Sequence, residues 1–117
     1  MNEQELEQLK YPIGRFKNPE NFTPECLENC ISIIEKFPVK LKKEVGNLSE
    51  NQLDTPYREN GWTVRQVVHH CADSHINSIL RLKLALTEEK PTIKPYFEDR
   101  FAELIDSKNF PIEASLQ

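Results

Sequence analysis

The sequence lacks long apolar runs and any excess of positive charge, and each absence argues against a class of protein. Its apolar runs extend over only a few residues, far short of the roughly 20 that span a bilayer, so no membrane protein is expected. The net charge is −4 and the only basic cluster is Lys40, Lys42 and Lys43, which argues against a nucleic-acid-binding surface. These lysines instead indicate the solvated face of a helix near its C-terminal end.

Cysteine is also scarce, with three residues, and an odd number does not make a disulfide framework. The N-terminal ten residues are polar and acidic and do not resemble a secretory signal, so we expect a cytoplasmic protein with reduced thiols. Cys26 and Cys30 lie four residues apart on a predicted helix. They are either small buried hydrophobes, the favoured interpretation, or part of a metal pair.

The apolar content, 38% of 117 residues, is sufficient for one hydrophobic core, and we expect a single helical domain over residues 1–117. Glycine is rare and proline more frequent, at three and eight residues, so proline marks most of the joints. Residues 11–16 mix turn residues with apolar ones and predict an extended arm on the surface. No segment alternates as a strand would, so the predicted fold class is all-α.

The first long helix is predicted to begin at Thr23 as N-cap, with Pro24 in the first helical position. Its apolar residues recur at helical spacing: Leu27, Cys30, Ile31, Ile34, Phe37, Leu41, Val45 and Leu48. Pro38 interrupts this pattern and predicts a kink or a break. Ser49 and Gln52 then form a capping-box pattern that opens a short helical turn.

The second long helix has the clearest start, because Thr63 and Gln66 form a capping box directly before a periodic run that extends to about Glu89. Asn60 and Gly61 before it predict a turn. Residues 97–106 predict a short amphipathic helix, and residues 111–117 the opening of a third long helix. The inward residues expected in the short helix are Phe97, Phe101, Leu104 and Ile105.

All three histidines, His69, His70 and His75, lie within seven residues of the second long helix. At about 100° per residue the helix has two distinct faces. An apolar stripe contains Val64, Val68, Cys71, His75, Ile79, Leu82 and Leu86. A polar stripe contains Thr63, Gln66, His70, Ser74, Asn77 and Arg81. Histidines that chelate one ion from a single helix are three or four residues apart on one face, so these three cannot share an ion.

Each histidine therefore has a separate interpretation. His75, on the apolar stripe, predicts a core histidine, and His69 a surface one. His70 lies on a polar stripe that either faces solvent or lines a cavity in the bundle, and periodicity alone leaves both open. Cys71 is adjacent to His70, but its apolar position predicts a raised pKa and a hidden thiol rather than a nucleophile.

Several segments resemble the YfiT-like branch of the DinB superfamily. The main one is GWTVRQVVHH at residues 61–70, continued by ADSH at 72–75. Three others agree with it: YPIG at 11–14, QLDTPYR at 52–58, and LALTEE at 84–89 followed by KPY at 94–96. The resemblance extends over nearly the whole chain from Tyr11 onward and corresponds to the N-terminal two thirds of such proteins.

This resemblance implies a four-helix bundle, here reduced to its first two long helices plus short helices. It also implies a homodimer and a nickel or zinc ion held by three histidines, one from the second helix and two from a His-x-x-x-His pair on the last. The family is that of metal-dependent hydrolases, with relatives that transfer low-molecular-weight thiols such as bacillithiol. By position, the second-helix metal ligand falls on His70, and no His-x-x-x-His follows His75.

Two hypotheses follow. In the first, the chain belongs to a metal-dependent hydrolase or thiol transferase with a small-molecule substrate, and the ion lowers the pKa of bound water or thiol. In the second, the chain is a catalytically inactive helical fragment that associates with itself or a partner through the exposed apolar stripes of its two long helices. The missing ligand pair separates them, because only the enzyme needs two more histidines.

Overall fold

The computed structural model describes residues 1–117, which form helices joined by turns and extended segments. The helices are α1 (Glu3–Lys10), α2 (Pro24–Val45), α3 (Glu50–Leu53), α4 (Val64–Thr87), α5 (Glu98–Ala102) and α6 (Ile105–Asn109). A 3₁₀ turn follows at Glu113–Leu116. The only β pairing is an isolated bridge between Pro56 and Thr63, so the predicted all-α class is confirmed. None of the helices is both long and apolar enough to cross a bilayer.

The predicted helix starts are confirmed at atomic detail. The Thr23 hydroxyl accepts from the backbone N–H of Cys26 at 3.1 Å, with Pro24 next in line. Ser49 and Gln52 cap α3 reciprocally. Of the kink or break predicted at Pro38, the break does not occur. The helix α2 continues to Val45, because a proline removes one backbone N–H while the flanking turns keep theirs.

The N-terminal segment contains a helix that the sequence analysis did not predict. In α1, Asn2 and Glu5 form a capping box, with the Glu5 N–H donating to Asn2 Oδ1 at 2.8 Å. The spacing of Asn2 and Glu5 is the sequence signal that could have predicted α1. Arg15 of the following arm pairs with Glu7 at 2.6 Å, whereas Ile13 remains almost fully exposed. The arm is thus attached to α1 by charge rather than packed through its apolar side chains.

The hydrophobic core is small and lies at one end of the molecule. It comprises Val45, Leu53, Val68 and Ile112, with Leu41, Leu48, Val64 and Leu116 against it. The end of α2, the start of α4 and the C-terminal 3₁₀ turn meet there. The remaining apolar faces of the long helices are exposed, and the radius of gyration, 16.4 Å, exceeds the roughly 13 Å of a compact chain of this length. The structure is therefore open.

The prediction of a single helix over residues 97–106 is wrong. Two short helices, α5 and α6, occur instead, because the backbone of Leu104 between them is extended. The four predicted inward residues, Phe97, Phe101, Leu104 and Ile105, are exposed. Small residues, Ala102 and Ser107, are buried in their place, and the Gln66 amide donates to the Ala102 carbonyl at 2.7 Å. This buried hydrogen bond brings α5 close to α4, where a bulky side chain would not fit.

The third long helix predicted to open at residues 111–117 is also not observed. A 3₁₀ turn, Glu113–Leu116, forms there, with the N–H of Ser115 donating to the Ile112 carbonyl at 3.0 Å. Ile112 is buried in the core and holds this turn against α4.

Candidate functional site on the histidine helix

The site is built on the first three turns of α4. The capping box predicted there is confirmed, since the Thr63 N–H donates to Gln66 Oε1 at 2.9 Å and the Gln66 N–H to Thr63 Oγ1 at 3.1 Å. The preceding turn has Asn60 at a φ of 58°, the left-handed region that asparagine tolerates. A Cβ on Gly61 would lie 2.6 Å from Arg58 Cγ, so glycine is required for this close approach. The turn brings Trp62 beside the start of α4.

His70 is half-buried and packs against Trp62, with the two ring centroids 4.9 Å apart. Neither of its ring nitrogens makes a hydrogen bond within the chain, in contrast to His69 on the same turn. A half-buried imidazole whose nitrogens are both free is suited to bind an ion or a ligand, because no internal partner has to be displaced.

The surface position predicted for His69 is wrong. His69 is 7% exposed, its Nδ1 lies 2.7 Å from the hydroxyl of Ser115, and its Nε2 lies 2.9 Å from the carbonyl oxygen of Phe110. The C-terminal segment folds back onto this face of α4 and covers it. Periodicity along one helix cannot show which distant segment covers a third face, so the sequence offered no signal for these contacts.

The core position predicted for His75 is also wrong. His75 is exposed, and it meets the edge of Phe37 of α2 at a centroid distance of 5.4 Å. Only the first part of the apolar stripe reaches the core, because α2 packs mainly through its C-terminal end. The rest is exposed: Ile79, Leu82 and Leu86.

The polar stripe does not face open solvent, and Asn77 and Arg81 at its far end line a cavity. Gln66 is buried, and His70, Ser74, Asn77 and Arg81 are each half-buried. Cys71 is half-buried too, and this burial raises the pKa of its thiol, as the sequence predicted. The interpretation of Cys26 and Cys30 as buried hydrophobes is wrong for Cys30, which is exposed; all three thiols are free.

Asp73 is a further ionisable group near the histidines, half-buried on α4. Burial is the largest effect on its carboxyl and raises the pKa, and the charge of Asp106 acts in the same direction. His70 and His69 lower the pKa by a smaller amount. No local sequence signal indicates this shift in pKa, because Asp106 lies 33 positions away and is brought close only by the packing of α6 on α4.

We expect Asp73→Asn to stabilise the fold at neutral pH. Since the folded pKa is raised, the stabilisation associated with protonated Asp73 is present at low pH and is lost as pH rises through that pKa. The asparagine side chain does not ionise and so avoids this loss. The free energy of unfolding that the variant gains over the native chain should therefore shrink below about pH 3, where the carboxyl of Asp73 is protonated in both the folded and the unfolded state. Urea unfolding across this range measures the effect. A variant no more stable than the native chain at neutral pH would contradict it.

The residues present do not complete a metal centre. No three His, Cys, Asp or Glu side chains are arranged to hold one ion. A catalytic zinc ion normally takes three protein ligands and leaves one position open. His70 can supply one such ligand, while His69 is committed to internal hydrogen bonds and His75 lies on another face.

Comparison with known proteins agrees with this fold. The model of the DinB superfamily matches residues 33–114, which is more than half of the chain. Proteins of Bacillus cereus and Bacillus anthracis, named as candidate metal-dependent hydrolases, are 54% identical over 111 residues. The match includes 95% of this chain but 64% of each relative, so the chain spans less than two thirds of their length.

A solved structure, YfiT from Bacillus subtilis, is similar along most of the chain. It is described as a probable metal-dependent hydrolase with an unusual four-helix bundle topology. The TM-score is 0.89 at 52% sequence identity, over 93% of this chain and 62% of that one. The fold and the family match together place this chain in the DinB superfamily, as the sequence motifs predicted.

Proposed function

We propose that the chain is part of a metal-dependent hydrolase in which His70 is one of the metal ligands. The observation that carries the proposal is the half-buried imidazole of His70, with both nitrogens free of internal partners. The names of the relatives point to the same class of enzyme. Imidazole nitrogen suits both zinc and nickel, so either ion is a candidate.

The proposed ion needs further ligands from outside this chain, since no three His, Cys, Asp or Glu side chains are arranged to hold one ion. A second copy of the chain would supply them. The finer alternative within this proposal is transfer of a low-molecular-weight thiol such as bacillithiol to a small-molecule substrate in the cytoplasm. The three free cysteines are compatible with a reducing compartment.

Metal titration of three proteins tests the role of His70. We expect the native chain and His75→Ala to bind nickel or zinc with similar affinity, because His75 is exposed and lies on a different face. His70→Ala should bind at least about tenfold more weakly, since a direct ligand is lost. Isothermal titration with each metal salt gives the affinities. If His70→Ala matches the native chain, or if none of the three binds either ion, the proposal is wrong.

The second candidate function is self-association, and the exposed apolar faces of the long helices support it. On α2 these are Leu27, Ile31 and Ile34, and on α4 they are Ile79, Leu82 and Leu86. Contiguous apolar surface of this kind is characteristic of interaction sites. Light scattering on the samples used for metal titration measures their oligomeric state and distinguishes the two candidate functions. A dimer that binds metal through His70 supports ligands supplied by the second copy, whereas a metal-free dimer supports an interaction module.

A further inference from the structure

A cavity of about 380 Å³ lies between the second half of α4 and residues 92–97. This volume falls within the roughly 300–1,000 Å³ of small-molecule sites. Asn77, Leu80, Arg81 and Leu84 line it from the helix. His70 does not line it, and Asn77 is seven residues further along α4, which corresponds to about 10 Å of axial rise. The cavity therefore does not include the proposed metal position, although both lie along the polar stripe of α4.

Arg81 is the main polar feature of the cavity. It is half-buried and forms no ion pair, unlike Arg15, Arg65 and Lys108. Its single hydrogen bond runs from Nη2 to the carbonyl of Lys94 at 3.2 Å, so its other N–H groups donate to no atom of the chain. These free N–H groups are available to a bound carboxylate, which a guanidinium can bind through two parallel hydrogen bonds.

The charge of the lining has one sign. Arg81 and Lys94 are among the eleven lining residues, and none of the eleven is Asp or Glu. An anionic group that enters the cavity therefore meets attraction and no nearby repulsion from the walls. The planar fork of an arginine also matches the two oxygens of a carboxylate better than it matches a neutral hydroxyl.

The opposite wall is apolar and aromatic. Tyr96 and Phe101 meet edge to face with their centroids 4.8 Å apart, and Phe97 lies beside them. Pro95 lines the same wall, and its fixed backbone angle limits the conformations of the segment. Such a wall favours a flat ring, which can stack or pack edge-on against the aromatic side chains.

We propose that this cavity binds a small organic anion with an aromatic body, whose carboxylate pairs with Arg81 while its ring packs against Tyr96 and Phe101. The guanidinium of Arg81 orients the ligand, and the aromatic wall provides most of its apolar contacts. The ligand class is thus an aromatic carboxylate rather than a neutral alcohol or an amine.

Titration with naphthoate, monitored through the backbone amide signals in NMR spectra, tests the site. Naphthylmethanol is the matched neutral probe, with the same ring and no charge. We expect naphthoate to bind about tenfold to hundredfold more tightly, as a charged hydrogen bond implies. The amide shifts should concentrate at residues 77–84 and 92–97. Equal affinity for the two probes, no binding of naphthoate, or shifts confined to other helices would overturn the proposal.

Two variants of matched charge locate the effect. Arg81→Gln should weaken naphthoate binding about tenfold and leave naphthylmethanol unchanged. Lys83→Gln removes the same charge from an exposed position on the same helix outside the cavity, and it should have little effect. Equal losses in both variants would show non-specific attraction and overturn the assignment. If Arg81→Gln does not fold, Arg81→Lys and the comparison of the two probes on the native chain still decide the question.

Discussion

Replacement of Arg65 by methionine should lower the free energy of unfolding by about 2 to 4 kcal/mol. Arg65 is 2% exposed and donates to Asp54 Oδ1 at 2.8 Å and to the Phe110 carbonyl at 3.0 Å, with Glu50 as a third partner. It therefore ties α3 and the C-terminal segment to α4. Methionine keeps much of the apolar volume but none of these hydrogen bonds, so the change isolates their contribution.

The exposure of the partners sets the size of the expected loss. The side chains of Asp54 and Glu50 are 54% and 80% exposed, so both carboxylates regain water when the guanidinium is removed. The loss should thus fall below the largest values for buried pairs. The hydrogen bond with Asp54 is the main cause that raises the pKa of Arg65, ahead of that with Glu50, while burial acts in the opposite direction.

Urea denaturation of Arg65→Met, Asp54→Asn and Glu50→Gln checks this ranking. Glu50→Gln should cost less than about 1 kcal/mol, as is usual for a largely exposed pair. Asp54→Asn should fall between the other two. A loss below about 1 kcal/mol for Arg65→Met would show that the buried guanidinium contributes little to the fold.

Replacement of His69 by alanine should cost about 2 to 3 kcal/mol and loosen the C-terminal segment. The reason is that both ring nitrogens are used. The Phe110 carbonyl can only accept, so Nε2 donates to it, and in the neutral imidazole Nδ1 then accepts from the hydroxyl of Ser115. Alanine removes both hydrogen bonds and the ring that fills the space between α4 and the segment.

Thermal unfolding and hydrogen exchange measure the two parts of this prediction. Amide protons of residues 112–116 should exchange faster in His69→Ala, because their attachment to α4 is weakened. Ser115→Ala should show roughly half of the loss, about 1 kcal/mol, since one hydrogen bond remains. His75→Ala, at an exposed position, should stay within about 0.5 kcal/mol of the native chain. Equal effects of the two histidine changes would contradict the assigned role of His69.

Local sequence signals predicted the two long helices and their starts, because those signals act within a few residues. Thr23 and Thr63 each cap a helix through a backbone N–H three positions on, and no distant segment is needed for that interaction. The predicted class, the turn at Asn60 and the family are confirmed for the same reason: each depends on residues adjacent in the chain. The role of His70 as a metal ligand stays a prediction.

Long-range packing determines the features that local sequence signals did not predict. His69 is buried because the segment at Phe110 folds back over 41 residues of chain, and Phe101 is exposed because Gln66 holds the small Ala102 against α4. The cavity at Arg81 likewise needs the aromatic wall beyond Pro95. Helical periodicity defines the faces of α4, but which face is covered depends on where distant segments return, and only the tertiary structure shows this.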